Sequence, residues 1–252
     1  MEILRVALLK RVAGYIVALL CMAFSGCGSS SKIYTIGVDP SWFPLDVAGK
    51  EPYVLAFSHE LLQKIGHLKK CAFQRMALSW DDLLEAVNKG QCQGILSSLQ
   101  PYVFNLQTYQ FSDHFLQTGP VVVMAEKVAK TEADHLYEKE IAVFSPEDEQ
   151  LLMQTYPEAL MRSYDSLPQA LADVAMGVID GALVDYLRAL SYVTDLYAGQ
   201  LKIVSSTLNQ EGLRLVTSAK QNKQLIHLFN EAIKELKQSG EYQTLLSKWK
   251  LG

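Results

Sequence analysis

The stretch "SWDDLLEAVNKGQCQGILSSLQPYVFNLQTYQFSD", Ser79–Asp113, holds a helix, a strand and a loop in immediate succession. Ser79, with an acid three residues on at Asp82, reads as a helix N-cap, and Lys89-Gly90 reads as that helix's end. A strand over Gly94–Ser98 follows after a short turn, so the unit is α/β in character. From Gln91 to Ser112 there is then no Lys, Arg, Asp, Glu or His, although the chain is 20% charged. A run of that length should carry about four charges. Ile95 and Leu96 suit a buried strand, but Ser97, Ser98, Gln100, Asn105, Gln107, Thr108 and Gln110 are not core composition. The sequence asks for something polar and uncharged there.

The same alternation extends in both directions. Upstream, strand-like Ile33–Val38 stops at Asp39-Pro40, a helix lies near Leu55–Ile65 with Gly66 as its stop, and a strand follows at Ala72–Leu78. Downstream, Val121–Met124 is extended and Ile141–Phe144 is a strand. Ser145-Pro146-Glu147-Asp148 then opens a helix with a hydroxyl cap, an early proline and acids at the positive end. A helix over Leu167–Met176 stops at Gly177, and a strand spans Val178–Val184. Asp185 is expected to cap a helix over Tyr186–Tyr197. Leu225, Leu228, Ala232 and Leu236 form an amphipathic stripe closed at Ser239-Gly240, before a last helix with Leu245, Leu246 and Trp249.

The N-terminus speaks to location. Arg5, Lys10 and Arg11 precede an apolar run, Val12–Phe24, too short to span a bilayer, which predicts a signal peptide over residues 1–26. Phe24-Ser25-Gly26-Cys27 resembles a bacterial lipobox, with Cys27 lipidated and residues 27–31 as a tether. Removing residues 1–26 leaves 20 Lys+Arg against 26 Asp+Glu, a net charge of −6 that argues against nucleic acid as a partner. Cys71 and Cys92 remain, as a disulfide or as two buried thiols. The five histidines are scattered, so no metal site is expected; nor is there a P-loop, a dinucleotide glycine pattern or a nucleophile elbow.

Six local words stand in one order: "IGVDPSWFPL", "SWDDLLEAVNKG", "ILSSL", "QFSDHF", "GVIDGALVD" and "AIKELKQSGEYQTLLSKWK". In that order and spacing they resemble, over nearly the whole mature chain, the polar-amino-acid type of extracellular solute-binding protein that serves bacterial ABC importers. The resemblance implies a two-lobed α/β fold, the type II periplasmic-binding-protein fold, with two crossover strands. Lobe 1 would be 32–118 plus 211–252 and lobe 2 119–210. It also implies a small-molecule ligand clamped in the cleft, an ABC permease partner in the inner membrane, a monomer, no cofactor and no catalysis. Mapped onto the family, Asp39 lies beside Trp42, whose ring would stack on the ligand, and Trp80 would close the other face. Ser97, Ser98 and Gln100 fall on the hydrogen-bonding loop, and Asp185 matches the acid that takes up an α-ammonium.

Two departures accompany these matches. The family's carboxylate-binding arginine falls on Asn105, and hydroxyl residues that face the same carboxylate are replaced by Glu147 and Asp148. Losing a charge-assisted hydrogen bond costs roughly 1.5–3 kcal/mol. A cleft carboxylate about 4 Å from the ligand's own adds up to ~4 kcal/mol of repulsion at an effective dielectric of about 20. The expected ligand is therefore an amino acid with atypical anchoring, or an amine, amide or small peptide with Asp39, Asp148 and Asp185 as countercharges; Arg75 is a remote substitute cation. Two alternatives stand beside this: a surface or sensing lipoprotein without transport, and a dehydratase-like enzyme on the same fold with Glu147 or Asp148 as its acid.

Overall fold

The computed structural model describes residues 32–128 and 136–252. The signal-peptide and lipidation expectations, including Cys27, lie outside the described residues. In chain order the elements are β1 (Ile33–Val38), α1 (Glu51–Lys69), β2 (Ala72–Ala77), α2 (Trp80–Asn88), β3 (Gly94–Ser97), α3 (Val103–Leu106) and β4 (Tyr109–Gln117). There follow β5 (Pro120–Ala125), β6 (Glu140–Val143), α4 (Pro146–Thr155), β7 (Leu160–Ser163), α5 (Leu167–Met176), β8 (Gly181–Asp185) and α6 (Tyr186–Ser191). A π-helical turn (Tyr192–Leu196) leads to β9 (Leu201–Ile203), β10 (Gly212–Ser218), α7 (Lys223–Gln238) and α8 (Glu241–Lys248).

These strands form two five-stranded sheets, ordered β2-β1-β3-β10-β4 and β7-β6-β8-β5-β9. The chain leaves the first sheet between β4 and β5 and returns to it between β9 and β10, so two segments cross between lobes. Each sheet is mixed. β1 pairs in parallel with β2 and β3, whereas β10 runs antiparallel to both β3 and β4. Burial on both faces makes the central strands near-continuous apolar runs, such as Val121–Met124. On one face of the first sheet Phe57, Leu61, Phe115, Phe229 and Leu245 pack together; on the other, Leu83, Ala86 and Val87 of α2 meet Ile95 and Val216.

Several local expectations change. Helix α1 runs four residues further at each end than the apolar stripe suggested, from Glu51 through Lys69, and stops at left-handed Lys70. Gly66 lies inside it and serves close packing instead of a stop: a Cβ there would stand 2.8 Å from the Cys71 carbonyl. Asp185 holds the N-cap position of α6 without a side-chain capping bond, and the α-helix gives way to the π turn at Tyr192. The strand expected at Val178–Val184 spans Gly181–Asp185. Cys71 and Cys92 form no disulfide: Cys71 packs against the α1 side of the first sheet and Cys92 is buried on the α2 side.

Candidate ligand cleft

In the first lobe the predicted polar residues gather at the ends of β1 and β3, where they satisfy one another. The Ser41 amide and hydroxyl both donate to Asp39 Oδ1, at 2.8 and 2.6 Å, and Asp39 is 8% exposed. Buried Ser97 Oγ accepts from the Leu99 amide at 2.9 Å. Gln100 Nε2 donates to the carbonyls of Ser98 (2.7 Å) and Gly212 (3.1 Å), and Asn105 Nδ2 donates to the Gln100 carbonyl at 2.8 Å. The uncharged loop is thus a neutral hydrogen-bonded platform tied to the returning strand. Trp42 departs from its expected role: at 2% exposure it packs in the first lobe's core, so its ring faces meet protein in this arrangement, and its Nε1 is buried without a partner. Trp80 is partly exposed and borders the α2-side core. Arg75 is exposed on the edge strand β2.

In the second lobe the predicted acids converge. A cavity of about 380 Å³ is lined by Ser145, Asp148, Asp165, Asp185 and Arg188, among others. A second, of about 340 Å³, is lined by Glu147, Asp148, Asp185, Asn209 and Glu211 among others. Asp148 and Asp185 belong to both. Their commitments differ. Ser145 Oγ accepts from the Asp148 amide while Asp148 Oδ2 accepts from the Phe144 amide, each at 3.1 Å, so Asp148 completes its own helix cap. Asp185 has no such use. Burial pushes its carboxyl above the ordinary aspartate range, Arg188 pulls it back, and Asp148, Glu211 and Asp46 push it further up.

The lobes meet along a seam. Arg188 Nε lies 3.5 Å from Asp46 Oδ2, Lys50 Nζ 3.4 Å from Asp195, and Ser191 Oγ donates to the Ala48 carbonyl at 3.1 Å. The Tyr186 hydroxyl donates to the Leu251 carbonyl at 3.1 Å, and Leu187 of α6 is buried within the first lobe's core cluster. Where the crossing segments touch, the Thr118 amide donates to the Glu211 carbonyl at 3.1 Å. Sequence reasoning missed Arg188, Glu211 and Asp165; the i, i+3 spacing of Asp185 and Arg188 was the available signal for the first. Among the described residues no group of three or more His, Cys, Asp or Glu side chains could hold a metal.

The family model for bacterial extracellular solute-binding proteins, family 3, matches residues 34–252. The chain belongs to this family. Among curated family relatives, the L-cystine-binding protein TcyJ of Escherichia coli is 25% identical over 221 residues, covering 85% of this chain and 81% of its own. An arginine-binding periplasmic protein of Mannheimia haemolytica is 25% identical over 238 residues, covering 92% and 97%. The virulence sensor BvgS of Bordetella bronchiseptica is 29% identical over 142 residues, 56% of this chain and 11% of BvgS. The unliganded, open L-cystine solute receptor of Neisseria gonorrhoeae superposes with a TM-score of 0.65 at 21% identity, covering 87% of this chain and 93% of the receptor. Fold class is thereby shown: two α/β lobes of the type II periplasmic-binding-protein kind.

Proposed function

We propose that this chain is the lipid-anchored receptor of an ABC importer, held in the cell envelope through Cys27. It works as a monomer and hands a small amine-bearing solute of amino-acid type to an inner-membrane permease. Residues 32–118 with 211–252 act as one body and 119–210 as the other, closing on the ligand between them. Asp185 takes the ammonium. Its half-buried carboxylate, unused by its helix and shared by both cavities, is the observation that carries this reading. Trp80, Ser98, Gln100 and Asn105 supply a neutral wall from the first lobe; Asp39 and Asp148 are occupied locally and play a smaller part. Relatives named for cystine and arginine binding support the amino-acid class.

A thermal-shift screen of amino acids, amines, amides and short peptides tests it, followed by calorimetry on Asp185→Asn. One chemical class is expected to stabilise the protein, and Asp185→Asn to weaken it about ten- to a hundredfold. No stabilising compound, or undiminished binding by Asp185→Asn, would remove the assignment. The likeness to BvgS favours a second reading, ligand sensing without transport. Loss of solute uptake in a deletion strain supports delivery; unchanged uptake with altered gene expression supports sensing.

A further inference from the structure

We propose that Arg188 supplies the cation for the ligand's carboxylate, so that the second lobe alone reads both charges of a zwitterionic amino acid. The inference rests on the cleft assignment above and deepens it. Arg188 is the one basic side chain lining the larger cavity. It stands three residues after Asp185, the N-cap of α6, the cap-to-third-residue spacing at which a side chain reaches back across the first turn, and both line this cavity. That placement suits an acid and a guanidinium gripping two charged groups borne on one carbon. Its side chain is 34% exposed, and among the described residues the one ion pair it makes is with Asp46, met through Nε. The two terminal nitrogens, which form the planar fork that matches a carboxylate, are left over.

Other cations near the cleft are committed. Arg214 is 8% exposed and donates from Nη1 to the Ser112 carbonyl (2.9 Å) and from Nη2 to the Gln210 carbonyl (2.7 Å), with Nε sealed in. Lys50 is 4% exposed and faces Asp195. The Asn105 amide is spent on its own loop. Without Arg188, Asp148, Asp165 and Asp185 would repel any carboxylate entering that cavity. With it, the cavity can take a carboxylate beside an ammonium.

The test compares the strongest binder among the proteinogenic L-amino acids and L-cystine with its own decarboxylated amine, on the purified protein. Wild type is expected to prefer the amino acid by about ten- to a hundredfold. Arg188→Met should remove that preference, with amino acid and amine then bound within about threefold of each other; Arg188→Lys should keep part of it. Asp46→Asn separates anchoring from a mere latch between lobes: it should leave the preference intact, because it frees the guanidinium. Equal loss in Asp46→Asn and Arg188→Met would overturn the inference, as would a wild type that binds amine and amino acid alike. A cleft that takes amines but no amino acid defeats this inference alone, and one that takes neither defeats the cleft assignment too.

Discussion

In its proposed role Asp185 would couple stability to binding through one carboxylate. Burial raises its proton affinity in the folded chain above that in the unfolded one. Above the unfolded value the folded state therefore holds the proton more tightly, so stability falls as pH rises through the interval and stays lower at neutral pH. Asp185→Asn is accordingly expected to raise the melting temperature of the ligand-free protein at pH 7, with the gain shrinking on acidification. Scanning calorimetry across pH checks it, and a gain that grew toward low pH would contradict the burial argument. Affinity for an ammonium ligand should fade on acidification at a pH above the usual aspartate range. The place of Asp185 was legible because its word, "GVIDGALVD", ends a strand in family order. Whether it caps depends on backbone geometry, here φ −53° and ψ 137°, which residue type does not determine. Trp42 was legible by position and misjudged in direction: its backbone takes φ 60°, and the ring packs inward.

At the scale of elements, hydroxyl caps were the reliable signals, while glycine stops held at Gly177 and failed at Gly66. Ser79 accepts from the Asp82 amide, Ser145 from the Asp148 amide, and left-handed Gly177 closes α5. Strand β7 escaped because all four of its residues are exposed, leaving no alternation, and β9 because three residues carry no period. Helix α6 is the element with the most consequence. It belongs to the second lobe by connection, yet Leu187 is 1% exposed in the first lobe's core. Leu187→Ala is expected to cost about 2–5 kcal/mol in urea unfolding. A cost below about 1 kcal/mol would mean that α6 is not rooted there.

At the scale of the whole molecule, the crossing segments are packed too closely to admit a side chain. A Cβ on Gly119 would run into the Asn209 side chain, whose Oδ1 already accepts from the Glu211 amide at 3.0 Å. Gly212 would meet the Leu116 carbonyl at 2.6 Å. Gly119→Ala is expected to destabilise by about 1–3 kcal/mol and to reduce the ligand-driven fall in radius of gyration seen by X-ray scattering. Wild-type compaction in that variant would show that this contact does not govern closure. The α/β class was legible because strand and helix alternate, and the two-lobed plan followed only from the resemblance carried by the six local words. The meeting of the lobes was not, since Asp46–Arg188 and Lys50–Asp195 join residues more than a hundred positions apart.

The ties of Arg188 to Asp46, Lys50 to Asp195 and Ser191 to Ala48 make that seam the spine of a book. On the proposed reading the covers turn about that line, and a solute enters at the margin opposite it. With Asp148, Asp165 and Asp185 on one page and the uncharged Ser98, Gln100 and Asn105 on the other, capture on that reading comes first at the acids, and the neutral loop then folds over.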